Sequence, residues 1–396
     1  MLNKAHQGQQ AAESGPTHLG SLRNARRNLR RERRLWHNPE QATEALGCRV
    51  CPERELCGGL KLGIGFFDCL QFCCGRPENC DRVCPYHPEF ADRVREVGTF
   101  RLDNVPRAPR LAAPPLPAVV PILYHKSGRS MPPVSGTAAL SLYEMFSRRT
   151  GMPRFSSSET LCEAFRIRPG ATTILTGTAR DAPLERWWEL GEERRTEIIR
   201  AMRRAGIALV TTPNYSLFID RPRLDDLHAV KRIATVHEEF LREGLPAALH
   251  VNGRTDRDFE RWAEFIAARP EITHIAYEFT TGAGWANRRQ QHAAWLAALA
   301  AEVGRPLHLI VRGGVDLLRD LAPNFSGLTV LDSSIFLKTM KRRRAYVRDD
   351  GRLGWTEAPT KQGEPLDELF SDNYRTMEDW IAELLACPPG EVRLAG

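Results

Sequence analysis

The sequence predicts an α/β fold: a (β/α)8-like, TIM-type barrel preceded by a small cysteine-rich metal-binding module and a basic N-terminal helix. Three observations carry this reading. Short β-branched or apolar runs alternate with amphipathic helical stretches after residue 118, the pattern of βα units on a parallel sheet. Eight of the ten cysteines fall between Cys48 and Cys84. Just ahead of them, arginines recur at the spacing that gathers side chains on one helix face.

Composition sets the frame for these elements. With 396 residues, 42% hydrophobic and 27% charged, the chain has the make-up of a globular protein, which excludes collagen, mucin and wholesale disorder. No apolar run approaches the ~18–20 residues of a membrane span, and Met1-Leu2-Asn3-Lys4 does not lead into the apolar core of a secretory signal, so a soluble cytoplasmic protein is expected. Lys and Arg exceed Asp and Glu by 56 to 49, a net charge of +7 that is compatible with a polyanionic partner.

In chain order, residues 1–20 are polar, without apolar periodicity, and read as a disordered leader. Residues 21–47 form the basic helix. Arg23, Arg26, Arg27, Arg30, Arg31 and Arg34 make a cationic stripe on it, suited to tracking the phosphates of DNA or RNA, with Trp36 beside it. The bland alternative is a solvated helix face.

The module over 48–104 follows, with Cys48, Cys51 and Cys57, then Cys69, Cys73, Cys74, Cys80 and Cys84. In a reducing compartment such spacing points to metal rather than disulfides, and eight thiols suffice for two four-thiolate sites. Zinc usually shows paired C-x2-C knuckles, of which Cys48/Cys51 is one. The Cys48–Gly59 stretch resembles the auxiliary-cluster segments of radical-SAM enzymes, and Cys80-x3-Cys84-Pro85 echoes bacterial ferredoxins. The cofactor is therefore an iron–sulfur cluster or zinc, with the lean to iron–sulfur. Pro106, Pro109, Pro114, Pro115 and Pro117 mark residues 105–118 as a stiff linker.

Residues 119–396 form the barrel domain. Expected strands cover 119–124, 171–176, 207–212, 247–251, 274–279, 307–312 and 328–332, with helices over 184–204, 225–243, 256–268 and 287–303. Seven strands imply that one of the eight is unrecognised. A doubly wound open sheet is the alternative, although no G-x-G-x-x-G turn follows the first strand.

Catalytic groups of such barrels sit at the carboxyl ends of strands. There lie His125, Thr176, Thr178, Asn214, Ser216, Asn252, Arg254, Glu278, Arg312 and Asp332. Two carboxylates, Glu278 and Asp332, with arginines between them suit acid–base or nucleophilic work on an anionic substrate. Asn214, Ser216, Asn252, Arg254 and Arg312 are the candidate substrate-binding residues. A second basic run, Lys338, Lys341, Arg342 and Arg343, follows the last strand and is expected to line the active rim as a further nucleic-acid contact.

Two segments carry family resemblances. Thr212–Arg223 with Ala248–Asp256 resembles an uncharacterised domain family of bacteria, phages and mobile elements, over about residues 207–278. Arg305–Gly314 with Leu331-Asp332-Ser333-Ser334 resembles the last two barrel strands of tRNA-guanine transglycosylases. The second resemblance implies that Asp332 is the nucleophile. The zinc motif of that family follows its barrel, whereas these cysteines precede theirs. Together these readings lead to a nucleic-acid-modifying enzyme of base-exchange type, in which Asp332 attacks C1′ of a nucleotide, Glu278 shuttles the proton, and Arg254 and Arg312 hold phosphate or base. A non-catalytic nucleic-acid-binding protein and an iron–sulfur redox or radical enzyme are the alternatives.

Overall fold

A computed structural model describes residues 43–44, 61–62, 93, 96–98, 100–217, 223–280 and 288–386. Arg23, Arg26, Arg27, Arg30, Arg31 and Arg34 lie outside the described residues, as do Cys48, Cys51, Cys57, Cys69, Cys73, Cys74, Cys80 and Cys84. The chain divides into two compact units, one of 1–98 with 218–227 and one of 99–217 with 228–396. In the first, Thr43–Glu44 pairs antiparallel with Lys61–Leu62.

Eight strands build the main sheet of the second unit: β1 (Val119–Pro121), β2 (Thr137–Ser141), β3 (Thr172–Thr176), β4 (Ile207–Thr211), β5 (Ala247–His250), β6 (His274–Glu278), β7 (His308–Arg312) and β8 (Gly327–Asp332). Runs such as Ile-Ala-Leu-Val-Thr in β4 are apolar on both faces, as strands covered on both sides must be. All pairings are parallel, in the order β1-β8-β7-β6-β5-β4-β3-β2. The two ends of that order meet through a parallel bridge between Ile122 and Ala139, and the Leu123 amide donates to the Ala139 carbonyl at 2.8 Å. The sheet thus comes round on itself as a TIM-type barrel. Following the register once round from Ile122 returns to its own chain displaced by about eight residues, the shear of this barrel class. Each strand neighbours its sequence neighbour, so the doubly wound alternative, which needs a reversal of order, does not apply.

The eighth strand, unrecognised in the sequence, is β2. Beyond Thr137, its Thr-Ala-Ala-Leu-Ser has none of the β-branched and aromatic residues that mark a strand, yet it pairs with β3 from Thr137 opposite Thr172 to Ser141 opposite Thr176. The expected helix over 184–204 is two, α2 (Asp181–Glu189) and α3 (Gly191–Arg204), because Gly191 takes φ +75° between them. The other helices among the described residues are α1 (Ser158–Phe165), α4 (Arg223–Arg242), α5 (Asp256–Ala267), α6 (Arg289–Val303), α7 (Leu318–Leu321), α8 (Ser334–Met340) and α9 (Asp367–Ala386). Between α8 and α9 an antiparallel ribbon, β9 (Arg343–Val347) and β10 (Leu353–Glu357), stands apart from the barrel sheet.

Every strand sends a side chain to the barrel axis: Val120 and Ile122, Ala139, Ile174, Leu209, Ala248, Ala276, Ile310 and Leu331 form one buried cluster. Small and large residues share it, as in the packed interior of such barrels. Ala113 and Leu116 of the proline-rich stretch pack against this cluster, and Thr329 donates its hydroxyl to the Pro117 carbonyl at 2.9 Å. This part of the stretch therefore lies against the barrel, with Ala113 and Leu116 half-buried there and Pro106, Pro109 and Pro115 exposed. Outside the sheet, Arg195 of α3 and Glu239 of α4 form a two-point ion pair at 2.6 and 2.7 Å, buried beneath the Trp188 ring.

Candidate active site at the strand ends

Side chains two apart on a strand share a face. Ala276 and Ile310 point to the axis, so Glu278 and Arg312 do as well, one step higher. They end neighbouring strands and are register partners. Glu278 is 3% exposed. Its Oε1 accepts from the Thr280 amide at 2.8 Å and from the Thr280 hydroxyl. The Thr178 hydroxyl, from just beyond β3, also favours its ionised form. Two strands separate β3 from β6, which puts the carboxyl over the middle of the barrel.

Glu278 Oε2 has no hydrogen-bond partner among the described residues, nor does the Nε of Arg312, and the two atoms face each other at 3.9 Å. That gap exceeds a hydrogen bond. Burial pushes the Glu278 carboxyl above the ordinary carboxylate range, against the pull of Arg312, Thr280 and Thr178.

Asp332 is arranged differently. Leu331 faces the axis, and Asp332, one residue on, steps off that face. Its oxygens accept from the Ser334 hydroxyl at 2.8 and 2.9 Å, and Oδ1 also takes the Ile335 amide at 2.7 Å. The carboxylate thus serves as the cap of α8, satisfying an amide that has no partner inside the helix. Burial raises its pKa, while these hydrogen bonds and the Arg312 charge oppose the rise. The arginine expected between the two carboxylates is Arg312, whose charge is felt by both.

Asn252 donates through Nδ2 to Asn214 Oδ1 at 2.8 Å and to the Tyr215 carbonyl at 3.0 Å, joining the loops after β4 and β5. The Trp262 indole holds the Asn252 carbonyl at 2.8 Å. The Ser216 hydroxyl donates to Asp181 at the start of α2, so it is already engaged. The Arg254 amide is fixed by Asp258 at 2.7 Å, and its charge bears on Tyr277, Arg288 and His292. Of the five expected substrate-binding residues, Arg312 stands beside the carboxylates, and Asn214 and Asn252 pair with each other.

Lys338 lies in the last turn of α8 with its ammonium 5.6 Å from the Trp355 ring, Lys341 caps that helix, and Arg342 and Arg343 lead into β9. The basic run is one helix removed from Asp332 rather than at the strand end. Two residues not singled out from the sequence bear on the site. Thr280, two beyond Glu278, holds its carboxyl, and Gly177 lets β3 approach β4, since a Cβ there would stand 2.4 Å from the Thr211 carbonyl oxygen. His250, the last residue of β5, is 2% exposed with neither ring nitrogen hydrogen-bonded. Among the described residues, no group of three or more His, Cys, Asp or Glu is placed to hold a metal ion, and no helix is long and apolar enough to cross a membrane. The chain matches no protein-family model and no curated protein sequence.

Proposed function

We propose that this chain is a nucleic-acid-modifying enzyme whose proton-transferring carboxyl is Glu278, with Arg312 holding an anionic group of the substrate beside it. The observation that carries the reading is the facing pair of buried, unpartnered atoms, Glu278 Oε2 and Arg312 Nε, 3.9 Å apart over the barrel axis. A carboxyl with a raised pKa keeps its proton to higher pH than an ordinary glutamate, so it gives one to a departing heteroatom and recovers it from the incoming group. Thr280 ties down Oε1 and leaves Oε2 for that exchange. In base exchange, the C1′–N bond of a nucleotide breaks as the Glu278 proton goes to the leaving nitrogen, and a free base from solution forms the new C1′–N bond and returns its N–H proton to Glu278. Asp332 would have to release Ser334 and Ile335 before attacking C1′, which favours proton transfer at Glu278 over covalent displacement by Asp332.

The nucleic-acid substrate class rests on the +7 charge and the two arginine-rich runs. The eight clustered cysteines belong to the same proposal as a structural zinc or iron–sulfur module.

The test is to incubate full-length protein with RNA and with DNA in the presence of free purine and pyrimidine bases, and to quantify released bases and altered nucleosides by mass spectrometry. Wild type changes one base, and Glu278→Gln lowers that turnover by at least about 100-fold, whereas Asp332→Asn keeps most of it. Undiminished turnover in Glu278→Gln refutes the assignment. Wild type that alters no nucleoside returns the chain to the non-catalytic nucleic-acid-binding reading.

A further inference from the structure

The β9–β10 ribbon carries a pattern that the strand-end site does not use. Ala345 is 4% exposed and turned toward α9, where the Asn373 amide side chain takes the Ala345 N–H and donates to the Arg343 carbonyl. Period-two alternation then puts Arg344, Tyr346 and Arg348 together on the opposite face. Across the ribbon, Thr356 and Gly354 stand opposite Arg344 and Tyr346, and the Arg348 amide donates to the Arg352 carbonyl at 2.8 Å. Gly354 is what lets the tyrosine lie down: a Cβ there would stand 2.6 Å from Tyr346 Cζ. The ring rests on bare backbone and is 43% exposed.

Charge completes the pattern. Residues 338–357 hold seven Lys and Arg against three Asp and Glu. Arg344 pairs with Asp372 on α9, and Arg352 reaches Asp350 at 3.9 Å. The guanidinium of Arg348 makes no ion pair among the described residues. Alternate residues of a strand are about 6.8 Å apart, so Arg348 stands one step along the face from the tyrosine ring, while the Arg344 guanidinium turns back to Asp372 on α9.

We propose that this outer face of the ribbon binds single-stranded nucleic acid, with Tyr346 stacking one unpaired base and Arg348 and Arg352 meeting the adjoining phosphates. A flat aromatic flanked by cations takes a base whose own face is free, which a paired helix does not offer. The proposal names the strand on which the barrel chemistry acts, and to that extent it rests on the reading of Glu278. Its test is binding, in which Glu278 takes no part.

Fluorescence anisotropy with labelled 12-mers of oligo(U) and oligo(dT) measures it on the full chain. The titration is run in wild type and again with Arg26, Arg27, Arg30 and Arg31 changed to Gln, so that the N-terminal stripe cannot mask the ribbon. Tyr346→Ala weakens binding by about tenfold or more, while Tyr346→Phe, which keeps the ring, stays within about twofold. Arg348→Gln with Arg352→Gln flattens the plot of log affinity against log salt by about 1.4, two phosphate contacts of a single strand. Affinity and salt slope unchanged in the Tyr346→Ala and double-arginine variants overturn the proposal. So does binding to phosphatidylserine vesicles with none to either oligonucleotide.

Discussion

His250 offers a direct measure of how the barrel treats a buried base. It is 2% exposed, and burial alone pushes its pKa from 6.5 to about 3. The fold therefore holds the neutral imidazole, and the unfolded chain takes up the proton. The stability this group contributes is complete above pH 6.5 and is lost as pH falls, at about 1.4 kcal/mol per unit until the folded pKa is reached. At pH 5 the loss is about 2 kcal/mol, in folds whose whole stability is about 5–15 kcal/mol. His250→Leu removes the titration. No hydrogen bond goes with it, so at pH 7.5 the variant stays within about 1.5 kcal/mol of wild type.

Urea unfolding followed by circular dichroism at pH 7.5 and pH 5.0 gives the comparison. Wild type also carries His237 and His292, held down to about 4 and about 3, which destabilise it on acidification in the same sense. Glu278 and Asp332, pushed up by burial, bind protons more tightly when folded and act in the opposite sense. All four are common to both proteins and cancel in the difference. The expected result is an acid loss about 2 kcal/mol smaller in His250→Leu. Equal losses in the two proteins refute a buried, neutral His250.

Other outcomes follow from the same geometry. Arg195→Met leaves Glu239 charged and buried and costs about 3–5 kcal/mol, while the pair Arg195→Met with Glu239→Leu recovers most of it; thermal unfolding reads both. Elemental analysis of purified protein finds zinc or iron at stoichiometric level, and Cys51→Ser or Cys80→Ser lowers both metal and solubility; protein holding neither metal ends the cysteine argument.

Much of the fold is legible in the chain because its strands are covered on both faces. Runs such as Leu-Ile-Val in β7 and Thr-Val-Leu in β8 have no other economical place than a sheet interior. The adjacency of Glu278 and Arg312 was legible too, since both end consecutive strands and a parallel sheet lines such ends up. β2 escaped because Ala138 and Ala139 carry no strand signature, and the value of Ala139 is its small volume at the crowded axis, which no local pattern expresses.

By itself, then, the sequence determined the alternation of strand and helix and the placing of polar groups at the strand ends. Tertiary structure alone decided the rest. Closure depends on Ile122 meeting Ala139, a pairing between the two edges of the sheet that no local window contains. The roles of the two carboxylates depend on which face each presents: Glu278 turns to the axis and keeps one oxygen without a hydrogen bond among the described residues, while Asp332 turns to the start of α8 and spends its oxygens there. Both are acids at the end of a strand in the sequence. A single residue of alternation separates them, and that phase is set by packing around the whole barrel.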